Sequence, residues 1–133
     1  MRERGVVPMG VSQLRPCEAV HLDTDRLDEM CVRLGYKKAE AAICAAMEDI
    51  AVLLQYSGNL QRSGDMDSLQ LTVRQIEGLA ERTGMVALAS VAANVGQLTQ
   101  RGDQNALAAT VARMRRLGEQ SLIAIWDRED LSI

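Results

Sequence analysis

Thr72-Val73-Arg74-Gln75-Ile76-Glu77-Gly78-Leu79-Ala80, followed by Thr83-Gly84-Met85, is the stretch whose reading decides the fold. With Leu69 ahead of it, the apolar residues Leu69, Val73, Ile76 and Ala80 recur at steps of three and four, the period of a helix and not of a strand. At ~100° per residue these four share one face, which leaves Gln70, Arg74, Glu77, Gly78 and Glu81 on the opposite, solvent side. Asp65 or Asp67 can cap this helix, and Gly84 stops it after Thr83. Gly78 is the residue that asks for a reason, because glycine inside a helix costs ~1 kcal/mol relative to alanine. Two reasons are open: a partner that approaches the backbone on the outward face, or close packing against another helix, as suits Gly96 and Gly118.

The same period runs outward in both directions. Upstream, Asp23 or Thr24 caps a short helix through Leu34, with Leu27, Met30 or Cys31, and Leu34 inward and Gly35 as the stop. A long helix follows from about Tyr36 to Ser57, ended by Gly58, with Ala39, Ile43, Met47 (or Ala46), Ile50 and Leu54 (or Leu53) as its buried row. Downstream, a helix from about Met85 to Gln100 buries Leu88, Val91 or Ala92, Val95 and Leu98. After Arg101-Gly102-Asp103, a last helix from about Gln104 to Trp126 buries Leu107, Val111, Met114, Gly118, Leu122 and Ile125. Short connections make consecutive helices antiparallel neighbours. The expected fold is therefore all-α, an up-down antiparallel four-helix bundle with a short extra N-terminal helix across one end.

Both prolines, Pro8 and Pro16, fall in the first sixteen residues with Gly5 and Gly10. Residues 1–20 therefore read as a flexible leader and 21–133 as the folded domain. An internal echo recurs at a spacing of 38 residues: Gly64-Asp65 with Gly102-Asp103, Leu69 with Leu107, Thr72-Val73 with Thr110-Val111, Ile76 with Met114, and Leu79 with Leu117. Shared capping and packing rules account for most of it, with duplication of a helical pair as the alternative.

Composition limits the function classes. The chain has 133 residues, room for one domain with one core. Apolar residues make up 47%, but aromatics only 2% with no Phe, so the core is built from Leu, Ile, Val, Ala and Met and offers no stacking platform for bases. A formal charge of -3 and a pI near 5.2 also disfavour nucleic acid, whose phosphates need clustered Lys and Arg. Cys17, Cys31 and Cys44 lack both an even pairing and a metal spacing and read as reduced thiols, with Cys31 and Cys44 as packing residues. No run approaches the ~18 apolar residues of a membrane span or a signal-peptide core, so a cytoplasmic location is expected.

The central stretch resembles the middle of a histidine phosphotransfer (HPt) domain, a bacterial signalling module that relays phosphoryl groups between receiver domains. That family carries Ala-His-x-Leu-Lys-Gly-x-Ala and then a Gly-Met or Gly-Ala turn. Here Gly78-Leu79-Ala80, Thr83-Gly84-Met85 and the two Gly-Asp helix starts match, over roughly residues 22 to 126. The same alignment puts Arg74 where the acceptor histidine stands and Glu77 where the family has lysine. The resemblance implies that Gln70, Arg74, Glu77, Gly78 and Glu81 form a docking strip for a receiver domain, with the glycine admitting the partner's phosphoaspartate. It does not imply the chemistry. A guanidinium stays protonated and has no nucleophilic lone pair at neutral pH, and a carboxylate at position 77 repels an incoming phosphoryl group.

His21 is the only histidine. It precedes the first helix and reads as a boundary residue, with a displaced phosphoacceptor as the other reading. One histidine rules out Glu-x-x-His di-iron pairs and His-rich zinc sites, so no metal and no cofactor is expected. No Gly-x-Ser-x-Gly elbow, Cys-His pair in a local motif or phosphate loop is present. Trp126 reads as a cap on the core, and Arg113, Arg115 and Arg116 as a solvated basic strip. The expected function is thus non-enzymatic: an HPt-like protein, monomeric or weakly dimeric, that binds a response-regulator receiver domain or a histidine kinase of a two-component phosphorelay and modulates it without accepting phosphate. The alternatives are an active phosphotransfer protein with a non-standard acceptor and an adaptor bundle that dimerises.

Overall fold

The computed structural model describes the backbone of residues 20–131 and the side chains through Asp127. The leader, with Cys17 and both prolines, lies outside the described residues except for Val20. Within them the chain is helical: α1 (Thr24–Leu34), α2 (Tyr36–Ser63), α3 (Met66–Arg82), α4 (Val86–Leu98) and α5 (Gln104–Leu131). No strand forms among the described residues; one isolated antiparallel bridge joins Leu22 to Met85.

The caps are set by short polar side chains. Asp23 accepts a hydrogen bond from the Arg26 N–H at 3.3 Å, Asp65 from Ser68 at 3.1 Å, and Asp103 from Ala106 at 3.0 Å, each satisfying a donor the first helical turn leaves unpaired. Between Asp65 and Asp67, then, Asp65 is the cap. The echo seen in the sequence extends to atoms here. Gly64 and Gly102 both take φ near +79°, and the Thr72 and Thr110 hydroxyls each donate to the carbonyl four residues back at 2.8 Å. Identical caps and identical hydroxyl bonds are what the capping rule predicts, and they do not require duplication.

α2 does not stop at Gly58. It continues to Ser63 and ends at Gly64, whose left-handed backbone a side chain would resist. The physical reason is that the residues around Gly58 are core residues of a continuing helix. Ser57 is fully buried with its hydroxyl donating to the Leu54 carbonyl at 2.7 Å, Leu60 extends the apolar row, and Gly58 lies under the Arg115 guanidinium, 3.0 Å from where its Cβ would be. The ends of the last two helices also differ from expectation. α4 stops at Leu98, before Gln100, and α5 runs past Trp126 to Leu131.

α2 packs on α3, α3 on α4, α4 on α5, and α5 returns to α2; α1 packs on α2. The core between them contains Leu27, Ile43, Ile50, Leu69, Ile76, Met85, Leu88, Leu107, Met114 and Ile125, each no more than 1% exposed. On α2, Ala46 and Leu54 are the fully buried members of their pairs and Met47 and Leu53 are half-buried; on α4, both Val91 and Ala92 are buried. Leu34 and Leu98 sit at the margin rather than in the core. The expected row on α5 lacked Leu117 and Ser121, which are buried, and placed Leu122 too deep, since it is half-buried. Trp126 does not cap the core. It is 56% exposed, because Ile125 occupies the inward direction and the next residue is turned ~100° away.

Gly118 is a true close approach: a Cβ there would run into the Leu54 side chain, which fixes how near α5 lies to α2. Gly96 is not, because its Cβ would meet Val73 at 3.6 Å, an ordinary contact. Arg115 is half-buried over Gly58, while Arg113 and Arg116 are exposed, so the basic strip of α5 is only partly solvated. Cys31 and Cys44 are half-buried, in keeping with packing at a helix margin.

Candidate functional site

α3 presents the face identified from its period. Leu69, Val73, Ile76 and Ala80 are 0–1% exposed, which confirms the helix phase. On the opposite side Arg74 and Glu81 are exposed, whereas Gln70, Glu77 and Gly78 are half-buried. The strip is therefore less uniformly solvated than the period alone implies. It also divides. Arg74 and Gly78 line a groove between α3 and α2 with Asp49, Val52, Leu53, and Arg82. Glu77 and Glu81 line a separate groove between α3 and α4, with Asp23 and Arg26 at its end. One wall of the helix is cationic and the other anionic; Gln70 lines neither groove.

Gly78 is decisive for the choice left open by the sequence. A Cβ added there would meet only the Arg82 guanidinium at 3.4 Å, the far end of a flexible side chain. Close packing against another helix, which is the reason for Gly118, is not the reason for Gly78. The position is an open notch on the outer face of a well-buried helix, flanked one turn away by Arg74 and Arg82. Arg74 and Glu77 do not form the i,i+3 pair their spacing permits, and no described residue accepts a hydrogen bond from Arg74.

The platform beneath the notch is held firmly. At the C-terminal end of α3, Thr83 is buried with its hydroxyl donating to the Leu79 carbonyl at 2.8 Å, and Met85 is fully buried. The turn is then tied to the segment before α1: the Asp23 N–H donates to the Gly84 carbonyl at 2.7 Å and the Val86 N–H to the His21 carbonyl at 2.9 Å. His21 is thus a boundary residue held by its backbone, with an exposed side chain away from the groove that holds Arg74 and Gly78. Sequence reasoning did not reveal Asp49, Val52 and Arg82 as groove residues. Asp49 and Val52 lie on the exposed face of α2 and Arg82 one turn after Gly78 on α3, but only the pairing of α2 with α3 brings the three into one groove.

Among the described residues no group of three or more His, Cys, Asp or Glu side chains could hold a metal ion, and no helix is long and apolar enough to cross a membrane. Compared with protein-family models, with curated proteins and with solved structures, the chain matches none.

Proposed function

We propose that α2 to α5 form an up-down antiparallel four-helix bundle of the histidine-phosphotransfer kind, with α1 as the extra N-terminal helix. In this reading the chain is a cytoplasmic bacterial signalling protein that binds a receiver domain or histidine-kinase component through the outward face of α3, and alters its partner's activity without taking up phosphate. The observation that carries the reading is Gly78, a half-buried helical glycine whose Cβ position meets only the end of the Arg82 side chain, one turn after an arginine that no described residue pairs. An ordinary solvated face gains nothing from glycine there and loses ~1 kcal/mol of helix stability. A partner whose backbone approaches closely gains space. Arg74 and Arg82 on the same groove supply guanidiniums suited to a carboxylate-rich or phosphorylated pocket.

The deciding experiment is an NMR titration of the labelled chain with receiver domains, with and without a phosphoryl mimic, read at α3. Shifts centred on Arg74 and Gly78 are expected. A Gly78→Gln change should leave the fold intact or stabilise it by up to ~1 kcal/mol, and weaken receiver binding by about tenfold or more, on the order of 1.4 kcal/mol. Arg74→Glu should weaken binding as well, most at low salt. Receiver domains that bind both variants as tightly as the parent would refute docking at this face.

Chemistry supplies a second expectation. Incubation with a phosphorylated receiver should place no acid-labile phosphate on the chain, since the outer face of α3 offers no imidazole. Labelling that a His21→Ala variant abolishes would instead establish a non-standard acceptor. The adaptor alternative draws its support from α5, where Ile123 is 60% and Trp126 56% exposed. A stable homodimer that buries Gly78 or these two residues would favour it.

A further inference from the structure

The groove holding Gly78 does not end at α3. It shares Asp49, Leu79 and Arg82 with a second concavity formed by α1, α2 and the last turn of α3, so the two run together as one trench. Guanidiniums stand along its whole length: Arg74 and Arg82 from α3, then Arg26 and Arg33 from α1. Two carboxylates, Asp49 and Glu29, line the trench with them, so four cations less two anions leave its lining at +2 in a chain of formal charge -3, although Arg26 also stands at the end of the anionic groove of Glu77 and Glu81. Among the described residues none of the four guanidiniums donates a hydrogen bond or forms an ion pair. The floor is apolar, with Leu79 and Met30 below and Val52, 68% exposed, and Leu34, 37% exposed, toward the two ends.

We infer that this trench is the seat of an acidic amphipathic helix from a partner protein. The apolar floor matches leucine-type side chains repeating at i, i+3, i+4 and i+7, and the arginine rims match carboxylates on the two flanks of such a helix. Planar guanidiniums bind carboxylates in paired hydrogen bonds and keep their charge at any physiological pH, which suits them to this task better than lysines. The portion along α3 from Arg74 to Arg82 is nine residues, about 12 Å from first to last, and the α1 portion extends it, so three to four helical turns of partner can lie in it. A nucleic acid is the poorer fit, because the floor offers no aromatic ring on which a base could stack. The inference shares Arg74 with the proposed docking face but places the partner's contacts on α1 and Arg82 as well.

The test uses the full chain, isotopically labelled, and two synthetic peptides of about eighteen residues with capped ends and the same leucine spacing. One peptide carries glutamates on its flanks and the other carries lysines. The acidic peptide should shift the amides of Arg33, Leu79 and Arg82 and bind at least tenfold more tightly than its lysine twin, with the difference shrinking as salt is raised to about 0.3 M. Arg33→Glu combined with Arg82→Glu, both exposed positions, should weaken acidic-peptide binding at least tenfold while the amide spectrum stays dispersed. Equal binding of the two peptides, or shifts that map elsewhere, would overturn the inference. So would concentration-dependent shifts of the same amides without peptide, which would make a second copy the occupant. Receiver domains that bind and peptides that do not would sink the trench alone; the reverse result would sink the receiver reading alone.

Discussion

Truncating Ile76 to alanine is expected to cost ~2–4 kcal/mol of unfolding free energy, while Gln70→Ala on the same helix stays within about 0.5. Ile76 is 0% exposed and belongs to the central apolar cluster, so the variant loses the transfer energy of the removed carbons and leaves a cavity that well-packed neighbours fill only in part. Gln70 is half-buried, lines neither of the two grooves on α3 and is not one of the core residues. Urea unfolding of the two variants measures the difference directly. For a chain of this size the Ile76 variant should also lose well over 5 °C in Tm. Equal losses on the two faces would mean that the buried row of α3 is not the one described.

Gly84→Ala should be at least as damaging, on the order of 2–5 kcal/mol, although it adds a single methyl group. Gly84 has φ near +75°, which costs an alanine ~1–2 kcal/mol. In addition the new Cβ would stand 2.5 Å from the Asp23 carbonyl oxygen, a backbone atom held in place by the bonds from Asp23 to Gly84 and from Val86 to His21. It cannot yield without opening the tie between the α3–α4 turn and the start of α1. Gly102→Ala is the matched control. Gly102 has the same left-handed backbone, φ near +79°, but nothing lies within 4 Å of its Cβ position, so only the conformational part of the loss should remain. Similar losses at the two glycines would show that the approach of Asp23 to Gly84 contributes little.

These two variants also separate what was legible in the sequence from what was not. Ile76 could be placed inward from period alone, because a helix repeats every 3.6 residues whatever it packs against. The stop at Gly35, the buried row of α3, and caps narrowed to Asp23 or Thr24 and to Asp65 or Asp67 followed from local chemistry of the same kind. Gly84 could be read as a stop, but not as a contact with Asp23, since those residues are distant in the chain and meet only when α1 joins the bundle. The misplaced end of α2 has the same origin. A glycine after a serine reads locally as a stop, and it is the burial of Ser57, Gly58 and Leu60 against other helices that carries the helix on to Ser63. Trp126 was misassigned because an aromatic residue near the end of an amphipathic helix has a strong tendency to cover a core, and only the position of Ile125 shows that the place is taken.

For the candidate site, the sequence by itself determined the helix, its outward residues and the absence of histidine from its outer face, because periodicity and side-chain chemistry are local properties. Tertiary structure decided the rest. It showed that Gly78 is an open notch while Gly118 is a packing contact, although both are helical glycines, because what surrounds a missing Cβ depends on how far the neighbouring helix lies from that face. It also divided the strip between a cationic groove against α2 and an anionic groove against α4, and joined the first to α1 through Asp49, Leu79 and Arg82. Charges far apart along a chain add to one field only where folding brings their helices side by side, and no pattern within a single helix carries that information.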